Sequence, residues 1–334
     1  MNFKKYLMFL VVAALAFVLV ACGGADEGDK ENTGTEEDAG TEEDTASEDT
    51  ASEELEGNVV IDGSGTVFPL MQRIAEEYMS VDQPGVSVEV SRAGTGAGFE
   101  KFLAEDGTDF NDASREIKDE EQAKADELGI EVKELKVALD GLTIVTNPEN
   151  DWATELTEQQ VKDIFLGTVT NWSDINPEWP EEKIQTYGPN ENHGTYEFFY
   201  ENILEEQDLV SDIDLQQDYS TLVTLIAEDK NAIGFFGFGY YNSNQDKINA
   251  VGIDFGEGAV VPSLETIGEE GPYANFTRPV FTYLNVNNAK EKPEVLDYAK
   301  YVMENTNTFA GETGFAPIPD EEAQALLEEL EAIK

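Results

Sequence analysis

Along most of this chain, short apolar runs alternate with helical spacings. Val59-Val60-Ile61 leads into the small-residue stretch Asp62-Gly63-Ser64-Gly65-Thr66, after which Val67, Leu70, Ile74 and Tyr78 fall on one helical face. The order strand, small-residue turn, helix returns at Val86-Ser87-Val88-Glu89-Val90, then 93–98, then Phe99, Phe102 and Leu103. It returns again at Ile184-Gln185-Thr186-Tyr187, then 188–195, then Tyr196, Phe199, Ile203 and Leu204. Thr157-Glu158-Gln159-Gln160 is a capping-box sequence in front of Val161, Ile164 and Phe165, and Gly167 closes that helix. A helix over 118–128 carries acids in its first turn and Gly129 past its end, as the helix dipole favours. The segments 232–236 and 279–284 read as buried strands and 321–333 as a final helix. Alternating strands and helices predict an α/β protein with layered sheets, and no repeat of fixed period runs through it.

The first residues follow a different rule. Lys4 and Lys5 precede an apolar run over 6–21, shorter than the roughly 20 residues that cross a bilayer, so a secretory signal peptide over 1–21 is expected. The run ends Leu19-Val20-Ala21-Cys22, which resembles a bacterial lipobox and implies that Cys22 is lipidated. Residues 25–57 hold 15 acidic residues, one lysine and only Leu55 as a large apolar side chain. Such a stretch buries too little surface to offset its ordering entropy, so 22–57 is expected to be the lipidated cysteine followed by a disordered acidic tether.

Charge narrows the possible partners. The 334 residues include 71 Asp and Glu against 20 Lys and Arg, a net charge of -51. A surface of that sign repels nucleic-acid phosphates and anionic lipids, so neither is expected as a partner, and membrane contact is expected through the lipid alone. One cysteine excludes an internal disulfide and a Cys-based zinc site, and one histidine excludes a His-rich metal site. Neither G-x-G-x-x-G nor G-x-x-x-x-G-K-[ST] occurs, and no G-x-S-x-G elbow accompanies His193. No cofactor, no metal and no enzymatic activity are expected.

What remains is anion binding by neutral groups. Helix N-termini offer unpaired backbone N–H groups, and three of the predicted ones, at Gly65-Thr66, Gly96-Ala97-Gly98 and Gly194-Thr195, also carry hydroxyls on Ser64, Thr66, Thr95 and Thr195. Only four arginines are present, Arg73, Arg92, Arg115 and Arg278. Arg115, which follows Ala113-Ser114 ahead of a helix, is the candidate for a forked contact to an oxyanion.

Several of these segments together resemble the phosphate-binding protein family of high-affinity phosphate ABC transporters. They are 62–70, 93–99, Asp112-Ala113-Ser114-Arg115, Asp140-Gly141-Leu142, 164–167 through Asn171-Trp172, and Ile233-Gly234-Phe235-Phe236-Gly237, in order over nearly all of 58–334. The resemblance implies a two-domain periplasmic-binding-protein (type II) fold with a hinged interdomain cleft. Domain I would comprise 58–143 plus 277–334, and domain II 144–276. It implies a monomeric, lipid-anchored receptor on the extracytoplasmic face of the cell membrane that captures inorganic phosphate and hands it to permease subunits of an ABC importer. Ligand contacts carry over to Ser64, Gly65, Thr66 and Val67, to Thr95, Gly96, Ala97 and Gly98, to Ser114 and Arg115, and to His193, Gly194 and Thr195. The family's fourth loop usually reads Ser-Gly-Thr, with an arginine four residues earlier in many members. Here these positions are His193 and Pro189, which makes Arg115 the expected sole guanidinium at the ligand. Asp140 is expected to orient Arg115 or to accept a proton from protonated phosphate, which sulfate lacks. Another tetrahedral oxyanion, a phosphonate, or a surface lipoprotein without ligand binding are the alternatives.

Overall fold

The computed structural model describes residues 54–191 and 193–334; the signal segment, Cys22 and the tether up to residue 53 lie outside the described residues. Twelve strands are present among the described residues: β1 (Gly57–Gly63), β2 (Val86–Val90), β3 (Phe110–Ala113), β4 (Val132–Thr146), β5 (Glu155–Thr157), β6 (Gln185–Pro189), β7 (Asp214–Gln216), β8 (Ala232–Gly237), β9 (Asn249–Ala250), β10 (Gly252–Asp254), β11 (Ala259–Val260) and β12 (Thr277–Asn285). They form one sheet in the order β2-β1-β3-β12-β4-β8-β6-β7, with β9 also on β4, and a small sheet β11-β10-β5.

The first half is wound around β1, which pairs in parallel with β2 (Val59 opposite Val88) and with β3 (Ile61 opposite Phe110). β12 returns from far down the chain and inserts antiparallel between β3 and β4. β4 belongs to both halves: Val132 to Gly141 pair with β12, and Leu142 to Thr146 pair with β8. The second half continues from β8 through the parallel strands β6 and β7. Val59, Ile61 and Phe110 are buried in one core with Leu70 and Ile74 of the helix Phe68–Glu77 and with Val295 and Tyr298 of the 21-residue helix Pro293–Thr313. Tyr298 from the long helix meets Tyr78 edge-on at 5.1 Å and Phe110 at 5.7 Å.

Most predicted helices form with the caps read from the sequence. Thr157 Oγ1 accepts from Gln160 N (3.1 Å) while Gln160 Oε1 accepts from Thr157 N (2.8 Å), ahead of Glu158–Phe165. Gly129 ends Asp119–Leu128 in the left-handed region at φ 68°. One expectation needs correction. The ordered body starts before residue 58, because β1 begins at Gly57, and Leu55, packed on the core, donates its N–H to Gln83 (2.9 Å). Phe110 to Ala113, for which the sequence pattern predicts no element, are a wholly buried strand.

Candidate functional site

The order of the strands puts the predicted loops together. Because β1 lies between β2 and β3 and all three run parallel, the segments leaving their carboxyl ends, 64–67, 91–98 and 114–115, are neighbours. Such a crevice at strand carboxyl ends is where open α/β sheets hold ligands. The loop after β6 brings His193, Gly194 and Thr195 to the same place from the second half. The small residues are required by close approach. A Cβ on Gly98 would lie 2.0 Å from Asn111 Oδ1 and 2.6 Å from Gly63 Cα, and one on Gly194 would lie 1.6 Å from Ser114 Oγ.

The hydroxyls meet across this junction. Ser64 N donates to the Asp112 carbonyl (2.8 Å), and Ser64 Oγ accepts from Thr66 N (3.2 Å). Thr95 Oγ1 lies 3.2 Å from Ser114 Oγ and accepts from Ser114 N at 3.2 Å. Thr66 Oγ1 and Thr195 Oγ1, one from each half, are 3.4 Å apart, and the Tyr219 hydroxyl donates to Thr195 Oγ1 (3.1 Å). Ser64, Thr66, Thr95, Ser114 and Thr195 are all buried. Asp62 binds the first two loops together, accepting from Gly63 N (2.8 Å) and Ala93 N (2.9 Å) and pairing with Lys101. Burial raises its pKa, but Lys101 and the two amides outweigh that and hold it below the ordinary value.

At the centre of these hydroxyls is Arg278, on β12 directly opposite Asp140 of β4. Its Nη2 and Nε donate to Asp140 Oδ2 at 2.9 and 3.2 Å, and both side chains are almost fully buried. Nη2 also donates to Thr195 Oγ1 (3.0 Å), and Nη1 donates to the Gly194 and Ser114 carbonyls. One guanidinium therefore touches the third loop, the fourth loop and a carboxylate on the strand shared by both halves. Geometrically this is a cluster of buried neutral hydroxyls and amides around one cation whose charge is balanced by one buried anion.

The chain matches a PBP superfamily domain model over residues 39–306. It is 35% identical over 328 residues to "Phosphate-binding protein PstS" of Staphylococcus epidermidis, covering 98% of this chain and 93% of that protein. The chain belongs to the PstS family of the PBP superfamily. A Staphylococcus aureus member, also 35% identical, is matched over 332 residues. An ABC-type phosphate transport receptor from Vibrio cholerae superposes with a TM-score of 0.63 at 23% identity, covering 78% of this chain and all of that one. The fold is the two-domain α/β architecture of this superfamily, with the cleft between the halves.

Within that family framework the structure redistributes the site residues. Ser64, Thr66, Val67, Thr95, Gly98, Ser114, Gly194 and Thr195 are buried together, whereas Gly96 and Ala97 are exposed on the first turn of Thr95–Phe102. Gly65 is half-buried, with His193 beside it. Arg115 is not the guanidinium at the convergence. Its Nη1 and Nη2 fork onto Glu121 (2.8 and 2.9 Å) and its Nε faces Glu197 (3.3 Å). Asp140 accordingly orients Arg278 and not Arg115. Sequence reasoning missed Arg278 and Tyr219. The signal for Arg278 was a lone cation at the head of the apolar run 279–284, matched by a lone carboxylate in the apolar run around Asp140.

Proposed function

We propose that this chain is a substrate-binding protein that captures inorganic phosphate in the cleft and presents it to the permease of an ABC importer, without catalysing a reaction. The observation that carries this reading is the buried Arg278–Asp140 pair ringed by Thr66, Thr95, Ser114 and Thr195 from four separate loops. Neutral hydroxyl and amide donors stabilise an oxyanion by short, desolvated hydrogen bonds, so a chain of net charge -51 has no need of long-range attraction to fill its site. Arg278 adds a positive charge where the loops meet, and Asp140 balances it so that the site stays close to neutral. The relatives named PstS are described as phosphate-binding proteins, which favours phosphate over other tetrahedral oxyanions. Calorimetric titration of the full chain should give micromolar or tighter phosphate binding; no heat with phosphate at that level would overturn the reading, and equal affinity for sulfate would remove the selectivity.

The site residues form two sets. Ser64, Thr66, Thr95, Ser114, Thr195 and Arg278 hold the anion, and Asp140 and Tyr219 position Arg278 and Thr195. The two lobes meet where β4 passes from β12 to β8, between Gly141 and Leu142, and the chain returns at the start of β12. Hinge bending at these two crossings would open the cleft. No helix among the described residues is long and apolar enough to cross a membrane. Anchoring is assigned to lipid on Cys22, which places a monomeric receptor on the outer face of the cell membrane. Cells producing the chain should release a Cys22→Ala form from the detergent phase into the aqueous phase; retention of that variant would reject the anchor.

A further inference from the structure

The only histidine of the chain stands where the family's small hydroxyl residue is expected, and its surroundings define its protonation. His193 is 8% exposed. Its Nε2 lies 2.8 Å from the Gln217 carbonyl, which can only accept, so Nε2 carries the proton; the Gln217 side-chain amide is farther away at 3.5 Å. Nδ1 is therefore an unprotonated lone pair, and it has no hydrogen-bond partner among the described residues. The Nδ1–Cε1 edge faces the first anion loop from across the cleft, with Nδ1 3.7 Å from where a Cβ on Gly65 would sit. The ring is steadied edge-on by Tyr219 at 4.7 Å, the residue whose hydroxyl holds Thr195. A buried acceptor without a donor is unfavourable unless a ligand supplies one.

We propose that His193 is the specificity-determining acceptor of the anion site: Nδ1 accepts a hydrogen bond from the P–OH of protonated phosphate and opposes a fully ionised oxyanion such as sulfate. This rests on the phosphate reading above. Asp140 differs from His193 in that its Oδ2 already accepts twice from Arg278 and its charge is balanced there, whereas Nδ1 of His193 is a neutral acceptor with no donor among the described residues. The charged and titratable groups around the ring come from both sides. Arg92, Asp218 and Tyr240 line a cavity of about 230 Å³ with His193 on one side, and Glu191, Glu197, Arg115 and Lys118 line the cavity on the other. Burial lowers the imidazole pKa, with Arg92 acting in the same direction, against the Gln217 carbonyl and Asp218, which raise it. The acceptor form thus persists below the ordinary histidine range, and discrimination fades only when acid protonates Nδ1 and turns it into a donor for either anion.

Two measurements on the full chain test this. Phosphate and sulfate affinities of wild type and His193→Ala are compared at about pH 8 and at about pH 4, the lower value set well under the ordinary histidine range because the shift is downward. The ratio of the two proteins' phosphate-over-sulfate preferences cancels phosphate's own protonation; it should be about tenfold at the higher pH and about one at the lower. A ratio near one at both pH values overturns the role of His193 while phosphate binding stands, whereas failure of wild type to bind phosphate at all overturns the phosphate reading itself. Should the variant not fold, nitrogen NMR of the sole imidazole in the wild type decides. The unprotonated Nδ1 resonance should move on adding phosphate and stay on adding sulfate; a protonated Nδ1 in the free protein, or the same response to both anions, overturns the proposal.

Discussion

Replacing Arg278 with alanine should weaken phosphate binding by more than a hundredfold and destabilise the fold by about 3–5 kcal/mol, because it strands a buried carboxylate. Asp140 is 1% exposed, and its only charged partner among the described residues is Arg278. Without the guanidinium, an incoming anion would meet an unbalanced carboxylate that is almost wholly buried, where like charges repel more strongly than in water. Removing both charges separates the two effects. An Arg278→Met, Asp140→Leu double variant should recover most of the lost stability, read as a urea midpoint, while phosphate binding stays absent from calorimetry. Arg115→Ala should cost about tenfold or less, since its charge is balanced by Glu121 and Glu197 and it makes none of the hydroxyl contacts that tie Arg278 to Thr195. A larger loss at Arg115 than at Arg278 would show that the cation at the ligand has been misplaced.

Asp112→Asn should stabilise the protein, and more so the higher the pH. The Asp112 carboxyl has no exposed surface, and neither oxygen forms a hydrogen bond among the described residues. Burial pushes its pKa up from 3.8 to about 8; the Thr282 hydroxyl, opposite it in the β3–β12 register but short of a formed bond, pulls it down, and the Asp62 charge pushes it further up. Between those two values the folded state keeps the proton that the unfolded state has released. The stability this group contributes is therefore complete below the unfolded value and is lost as pH rises towards 8. The slope is at most about 1.4 kcal/mol per pH unit, and real relaxation around the carboxyl makes it smaller. Urea midpoints of wild type should fall relative to Asp112→Asn from about pH 5 to about pH 8 and run parallel beyond it; a gap between the two proteins that does not change with pH would refute the buried proton.

How far the sequence carried can be seen residue by residue. The three strand–turn–helix units were legible because each strand is apolar, each turn small, and each helix spaced at i, i+3, i+4 on a buried face, as with Leu70 and Ile74. β3 was not, because Phe110-Asn111-Asp112-Ala113 is buried on both faces with two polar residues, so neither alternation nor an apolar run marks it. The helix Pro293–Thr313 was legible and went unread, for Val295, Tyr298, Ala299, Val302 and Phe309 keep helical spacing. Hydroxyl and glycine positions at the site were readable because their chemistry is local to each turn. Arg278 was marked only as a lone cation beside an apolar run; its partner comes from an antiparallel register with a strand 138 residues earlier, which no local pattern encodes. Arg115 misled for a local reason. Glu121, in the first turn of the next helix, reaches back to the Lys118 amide (2.9 Å) and takes the guanidinium as it does so.

The place of β12 between β3 and β4 governs the order in which this chain can become a protein. As the polypeptide emerges from a ribosome or a translocation channel, β1, β2 and β3 appear first, yet the outer edge of β3 stays unpaired until residues 277–285 arrive. β4 likewise has its second stretch matched by β8 long before its first is matched by β12. The half made in the middle of synthesis can therefore finish first, and the half that was begun first must wait. That interval of open strand edge, and the long-range pairing that ends it, are the features that slow folding and invite aggregation, and the dense negative charge of this chain is a general means of keeping such waiting chains apart.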